Sequence, residues 1–332
     1  MKSIYYSTLI LFLFALMQWG ISCSKNDAGK GKLESIEFPK PAGWPDPVYD
    51  FSSNPLTKEG VELGKKLFFD GRLSKDGNFP CVSCHQPFAA FATFEHDLSH
   101  GFNDQFTTRN APGLFNLAWH SNFHHDGGIT HLDLQPLAPI TAPNEMAETI
   151  ENVLNKLNAD ANYQKEFDRV FGSPEITTAT MTKALSQYML MLVSANSKYD
   201  QVKRGQAQFD VNQEAGYKIF LEKKCNSCHV EPLFTNLEFM SNGLPLNPAF
   251  NDVGRMRITG SKADSLKFKV PSLRNVALTF PYMHDGRLWN LEDVYQHYNQ
   301  TIPLSAVERS LLTEFLKTLT DEKLINDPFL TR

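Results

Sequence analysis

Apolar positions are spaced differently in three successive stretches of the 332-residue chain. Leu9 to Met17 is a nearly unbroken apolar run, preceded by Lys2 and followed by Gly20-Ile21-Ser22-Cys23. A positive start, an apolar centre and small residues around a cysteine form the pattern of an export signal over residues 1–22. From Ser24 to Pro55 the chain is rich in Lys, Gly, Ser and Pro and shows no sustained apolar period, which predicts a tether over 23–55. Beyond it the period becomes helical. Val153, Leu154, Leu157, Tyr163, Phe167 and Val170 recur at helical spacing between Glu151 and Phe171, and Thr180 to Val193 forms another such segment. With no alternating strand-like runs, the predicted fold class is mainly α.

The helical part repeats itself. Glu62-Leu63-Gly64-Lys65-Lys66-Leu67-Phe68 is echoed by Glu214-Ala215-Gly216-Tyr217-Lys218-Ile219-Phe220. Arg109-Asn110 followed by His125-Asp126-Gly127 is echoed by Arg274-Asn275 followed by His284-Asp285-Gly286. Each glycine is followed by leucine and an acid, Leu132-Asp133 and Leu291-Glu292. The chain therefore reads as a tandem duplication, with units over 56–203 and 204–332 and a junction near Tyr199 to Gln208.

Each unit carries one Cys-x-x-Cys-His motif, Cys81-Val82-Ser83-Cys84-His85 and Cys225-Asn226-Ser227-Cys228-His229. Two thiols at this spacing can bond to the two vinyl groups of a porphyrin while the next imidazole ligates the iron, so each motif predicts a covalently attached c-type haem. A redox thiol pair or half of a zinc site would explain the cysteines but not a histidine after both pairs. These motifs use four of the five cysteines, leaving Cys23 and no structural disulfide. Cys23 resembles the acylated first residue of a bacterial lipoprotein; an ordinary signal peptide and an uncleaved membrane anchor are the alternatives. All three place the body outside the cytoplasm, on the periplasmic side of a bacterial membrane, where c-type haem is attached. An aromatic content of 12% suits flat cofactors that need apolar walls, and a net charge of −5 offers no broad basic surface for nucleic acid.

The two units differ at one telling place. Twelve residues after the glycine of His-Asp-Gly, the first has Pro139 and the second Tyr298. Proline cannot ligate iron, whereas a phenolate can. If both positions lie opposite the proximal histidine, the first iron is open to substrate and the second is closed and moves electrons. His297 is a rival ligand to Tyr298.

From about Thr57 to Leu319 the chain resembles the bacterial di-haem cytochrome c peroxidase and MauG family. The resemblance rests on Gly64-Lys65-Lys66-Leu67-Phe68-Phe69-Asp70-Gly71-Arg72-Leu73-Ser74, both haem motifs, Arg109-Asn110-Ala111-Pro112, the stretch Gln135 to Met146, Pro271 to Leu278 and Pro281 to Gly286. It implies two tandem cytochrome c-like haem domains with a calcium ion between them, held by the Asn110 side chain and the carbonyls of Thr279 and Pro281. Oxygen ligands of this kind suit calcium. It also implies hydrogen peroxide as substrate at the N-terminal haem, with Glu145 as acid/base and Gln135 orienting the peroxide. His100, in Ser99-His100-Gly101-Phe102, matches a loop histidine that caps the peroxidatic iron at rest. Tyrosine at position 298, in place of the peroxidases' methionine, is what MauG-like members have, and these oxidise residues on a partner protein. His125 stands where many relatives carry the tryptophan between the haems, and Trp119 or Phe123 is a substitute for that bridge. His96, His120, His124 and His131 are expected at the surface or behind the site.

Three activities are in view. The first is peroxide reduction with electrons relayed through the C-terminal haem from a small cytochrome c or copper protein. The second is peroxide-driven oxidation of tryptophan or tyrosine on a protein partner. The third, a non-catalytic di-haem electron carrier, has no use for an open iron beneath a carboxylate. Pairing into a homodimer is a further expectation from the resemblance.

Overall fold

Each half is organised by a pair of crossing helices that begin at polar caps. In the first half, α1 (Lys58–Phe68) starts where the Thr57 hydroxyl accepts the Gly60 N–H, and Lys65 and Lys66 face its carbonyl end. The structure, a computed structural model, describes residues 32–331, so the export signal and Cys23 lie outside the described residues. After α2 (Ile150–Asn158) and α3 (Ala161–Phe171), α4 (Thr178–Leu190) enters through a reciprocal cap between Thr177 and Thr180 and is buried at every position from Ala184 to Leu190. α1 and α4 cross where Gly64 has no side chain; a Cβ there would fall on the carbonyl oxygen of Ala184.

The second half repeats the device. After the linking helix α5 (Lys198–Lys203), α6 (Val211–Glu222) is capped by Asp210 and Gln213. A two-residue antiparallel pair follows, β1 (Phe239–Met240) with β2 (Phe268–Lys269), and then α7 (Leu291–Tyr298) and α8 (Ala306–Lys317). A Cβ at Gly216 would fall on the carbonyl oxygen of Leu311 in α8, as at Gly64. The echoed glycines thus mark two equivalent close helix crossings, and the mainly α fold class holds, with β1 and β2 as the only strands among the described residues.

Two cores result. The larger gathers Phe68, Phe91, Tyr163, Phe167 and Tyr188; the smaller gathers Phe220, Phe234 and Phe315. From Leu33 onward the chain nevertheless forms one compact unit. A buried charge cluster spans its halves: Arg109 donates to Asp126 of its own half at 2.7 Å and to both oxygens of Asp252 in the other at 2.6 and 2.8 Å. Burial works against the charge on Asp252, but the hydrogen bonds and charge of Arg109 hold its pKa at about 2. The echoed Arg274 is fully buried, makes a bidentate pair with Asp200, and lies 4.6 Å from the Trp44 ring.

Three details differ from the sequence reading. Residues 33–55 are not a free tether: Ile36, Phe38, Trp44, Tyr49 and Phe51 pack on the first core, and Trp44 lies 5.0 Å from Trp119. These aromatics fill gaps between helices as irregular chain, so they leave no period in the sequence. The segment Glu151 to Phe171 is two helices, because Asp160 caps Asn162 and pairs with Arg72, starting α3 afresh. Finally, the chain end returns to the first half, where Leu324 and Leu330 join its core and the Tyr188 hydroxyl donates to the Leu330 carbonyl.

Candidate active site

The first Cys-x-x-Cys-His motif opens as one 3₁₀ turn, Cys81–Ser83, from which the His85 N–H bonds back to the Cys81 carbonyl. This puts Cys81, Cys84 and His85 on the wall of one partly open cavity. Phe68, Phe79, Leu114, Leu185 and Met189 supply apolar walls. His85 Nδ1 lies 2.9 Å from the Phe91 carbonyl. A carbonyl can only accept, so Nδ1 carries the proton and Nε2 keeps its lone pair, the arrangement of a metal-binding imidazole. Burial holds His85 below its ordinary pKa, against the opposing pull of the Phe91 and Pro112 carbonyls, and so favours the neutral ring. These features fit a covalently bound haem.

The other expected residues of the first half share this cavity. Gln135, Pro139, Glu145 and His100 all line it. Pro139 belongs to the short helix Leu137–Thr141, and the Met146 N–H returns to its carbonyl, tying Glu145 close to it in space. Burial raises the pKa of Glu145, with no ion pair among the described residues to counter it. The turn carrying Glu145 is clamped from outside: Phe102 N–H donates to the Glu145 carbonyl at 2.7 Å, and a Cβ on Gly101 would strike the backbone of Asn144 and Glu145. His100 is exposed at this rim, its ring 4.5 Å from Phe106 and 5.2 Å from His96.

His124 was expected only as a background residue, yet its Nε2 lies 3.5 Å from the Gln135 amide nitrogen. It reaches there from a left-handed backbone (φ 63°) that no sequence period encodes. His125 points elsewhere: its Nε2 donates to the Asn110 carbonyl at 2.9 Å, and burial lowers its pKa to about 4. It therefore acts as a neutral brace between segments. His120 is half-buried, its Nδ1 shut off from solvent and unpartnered among the described residues, and Trp119 packs among Trp44 and Phe38.

The second motif repeats the first. His229 Nδ1 faces the carbonyls of Phe234 at 3.2 Å and Pro271 at 3.1 Å, leaving Nε2 as the ligand atom. Tyr298, in the last turn of α7, lies within electrostatic reach of Cys228 and Cys225; burial raises its pKa while a hydrogen bond with the Asn242 side chain works against the rise. The rival His297 turns its Nε2 to the Asn242 carbonyl at 2.9 Å. Asn110 donates to the carbonyls of His96 and Asp97, and its N–H bonds the His284 carbonyl, so it adjoins the loop that contains Thr279 and Pro281.

Residues 58–208 match the family described as di-haem cytochrome c peroxidase. The methylamine utilization protein MauG of Methylorubrum extorquens is 34% identical over 323 residues, covering 91% of this chain and 89% of the relative. Cytochrome c551 peroxidase of Nitrosomonas europaea is 35% identical over 289 residues, covering 81% and 82%. Among solved structures, a MauG-like protein associated with microbial copper homeostasis superposes with a TM-score of 0.81 at 31% identity, covering 89% of this chain and 99% of that one. Two Cys-x-x-Cys-His haem motifs, on a fold shared with these relatives, identify the chain as an oxidoreductase of the di-haem cytochrome c peroxidase and MauG family.

Proposed function

We propose that the chain reduces hydrogen peroxide at the N-terminal haem, with electrons relayed through the C-terminal haem from a small cytochrome c or copper protein. The observation that carries this reading is Glu145, a half-buried carboxyl free of ion pairs among the described residues, in the cavity that also holds His85 and Gln135. When bound, the haem supplies the redox chemistry of O–O cleavage. Gln135, its amide held by His124, hydrogen-bonds and orients peroxide. Glu145 takes a proton from the nearer peroxide oxygen and returns it to the farther one, which leaves as water. Pro139 offers no ligand and leaves that face to substrate. The overall balance is one peroxide, two electrons and two protons giving two waters.

One observation favours a second reading. Tyr298 lies within electrostatic reach of the second pair of haem cysteines, and an anionic oxygen ligand favours oxidised iron. That suits MauG-like oxidation of tryptophan or tyrosine on a protein partner. Stopped-flow absorption after adding peroxide to the fully oxidised protein separates the two. An immediate spectral change supports the MauG-like route and an uncapped N-terminal site; a change only after reduction of one haem supports the relayed peroxidase with His100 as cap. Silence in both states would overturn catalysis and leave an electron carrier.

The reading also includes a calcium ion held by the Asn110 side-chain oxygen and the carbonyls of Thr279 and Pro281. Support comes from the way the Asn110 amide N–H groups are spent on His96 and Asp97, which turns its oxygen away from them. A periplasmic location follows from covalent haem attachment. Among the described residues no helix is long and apolar enough to cross a membrane, and membrane attachment through a lipid on Cys23, like pairing into a homodimer, belongs to the proposal.

A further inference from the structure

We propose that Asn144 is a positioning residue for peroxide cleavage, the side chain that holds the Glu145 turn on a strut rooted in the first haem motif; this rests on the acid/base reading of Glu145 above. The strut is the loop over residues 99–107. At its foot, the Thr107 N–H donates to the Ser99 carbonyl at 3.0 Å, and the Thr107 hydroxyl accepts the Ser99 N–H at 3.0 Å. The Ser99 hydroxyl lies 2.7 Å from that of Thr93, which in turn donates to the Cys84 carbonyl at 2.9 Å. Ser99 and Thr93 are buried, and hydrogen bonds shielded in this way are stronger than in water. The foot is thereby fixed to the peptide that carries a haem-attaching cysteine.

The tip of the loop grips the turn that carries Glu145. The Phe102 N–H donates to the Glu145 carbonyl at 2.7 Å, and Asn144 Nδ2 donates to the Phe106 carbonyl at 3.1 Å. A carbonyl only accepts, so the amide nitrogen of Asn144 is the atom that faces it. A Cβ on Gly101 would fall 2.2 Å from the Asn144 carbonyl oxygen and 2.7 Å from Glu145 Cα, so loop and turn are in direct contact. The turn is one that gains from support: Ala147, two residues past Glu145, has a left-handed backbone at φ 54°, which non-glycine residues adopt uncommonly. Its internal bonds, Glu145 N–H to the Ala142 carbonyl and Met146 N–H to the Pro139 carbonyl, shape the turn without tying it to the haem motif. Lys75 N–H holds the Met146 carbonyl at 3.0 Å from another side, but the loop takes the residue that bears the carboxyl and the one before it. A hydrogen-bonded path therefore runs from Cys84 to Glu145, and it sets the carboxyl against the cofactor's point of attachment.

The test uses holoprotein, in the redox state in which wild type cleaves peroxide, and rapid mixing with two oxidants. Hydrogen peroxide needs a proton returned to its departing oxygen, whereas peracetic acid releases acetate and needs far less help. Asn144→Ala should slow the reaction with hydrogen peroxide by about tenfold to a hundredfold, the order expected of a misplacement of about 1 Å, and leave the reaction with peracetic acid close to wild type. Asn144→Gln, which keeps the amide donor, should recover most of the loss. Gly101→Ala, which presses on the same turn from the loop, should reproduce the selective loss. Equal slowing with both oxidants would mean that the cavity itself is damaged, and a bis-histidine spectrum of the first haem would mean that Asn144 only keeps His100 off the iron; either overturns the proposal. An unchanged hydrogen peroxide rate in Asn144→Ala beside a slow Glu145→Gln would also overturn it while sparing the acid/base reading. If Glu145→Gln itself cleaves peroxide at the wild-type rate, that reading fails and this proposal falls with it.

Discussion

The two halves share helix crossings, haem motifs and His-Asp-Gly turns, yet they present opposite surfaces to their cofactors. In the first half Pro139 lines a cavity together with the half-buried Glu145 and Gln135. In the second, a longer helix at the equivalent position ends in Tyr298, beside His297, whose ring faces the Asn242 carbonyl. On the proposed reading a duplicated scaffold holds a reactive centre and a closed one, and the difference lies in a few side chains around a common frame.

The most severe way to break this comparison is Glu145→Gln. Loss of a positioned acid/base typically costs about 10²–10⁴ in rate, so peroxide cleavage in rapid mixing should fall by that order while both haem spectra stay nearly native. An unchanged rate would remove Glu145 from the mechanism. The same residue predicts a pH limb. Burial raises its pKa, so the carboxylate needed as base is lost as pH falls through a value above the ordinary glutamate figure of about 4.3. Cys81, Cys84, His85, Gln135 and His100 are the other polar groups lining the cavity; with haem attached, Cys81 and Cys84 would be thioethers and His85 an iron ligand, so none of the three would titrate as a free group. In Glu145→Gln the limb should disappear.

Next in size are the two buried arginine pairs. Asp252→Ala strips Arg109 of its cross-half partner, and Asp200→Ala strips the fully buried Arg274. Breaking a buried pair by removing one member costs about 3–5 kcal/mol, which denaturant unfolding of the holoprotein would reveal. A loss well under 1 kcal/mol for Asp252→Ala would show that the halves are joined by other contacts. A chelator should act more mildly. If calcium is held by Asn110 and the Thr279 and Pro281 carbonyls, its removal costs about 2.7 kcal/mol when the ion was at 100 times its dissociation constant. The shift should vanish in Asn110→Ala, and a chelator without effect on wild type would discard the site.

The smallest effects sharpen the likeness between the halves. Gly64→Ala and Gly216→Ala each push a methyl into a carbonyl of the facing helix, and overpacking of this kind typically costs about 1–3 kcal/mol. Equal losses in thermal melts would confirm equivalent crossings. A much larger loss at Gly216 would show that the smaller second core tolerates strain less well.

What could be read from the sequence was chemistry and repetition. Cysteine spacing, the position of histidine after it, the echoed glycines and the exchange of proline for tyrosine leave marks at fixed offsets along the chain. Packing by irregular segments left none. Phe38, Trp44 and Phe51 fill gaps without periodicity, so the stretch from Leu33 to Pro55 resembled a tether. The break at Asp160 is hidden because apolar residues at helical spacing resume at Tyr163, soon after it. His124 is invisible for another reason: it sits in a loop, and only folding brings it to Gln135.

The ion triad of Arg109, Asp126 and Asp252 has a kinetic corollary. Charges shielded from water are screened far less by salt than charges on a surface, and Asp126 and Asp252 are almost fully buried. The spatial relation between the two centres should therefore be indifferent to ionic strength, whereas the encounter with any charged redox partner will not be. Salt becomes a tool for dividing turnover into its internal and external parts: the steps that slow as it is added belong to the meeting of two molecules, and those that do not are the enzyme's own.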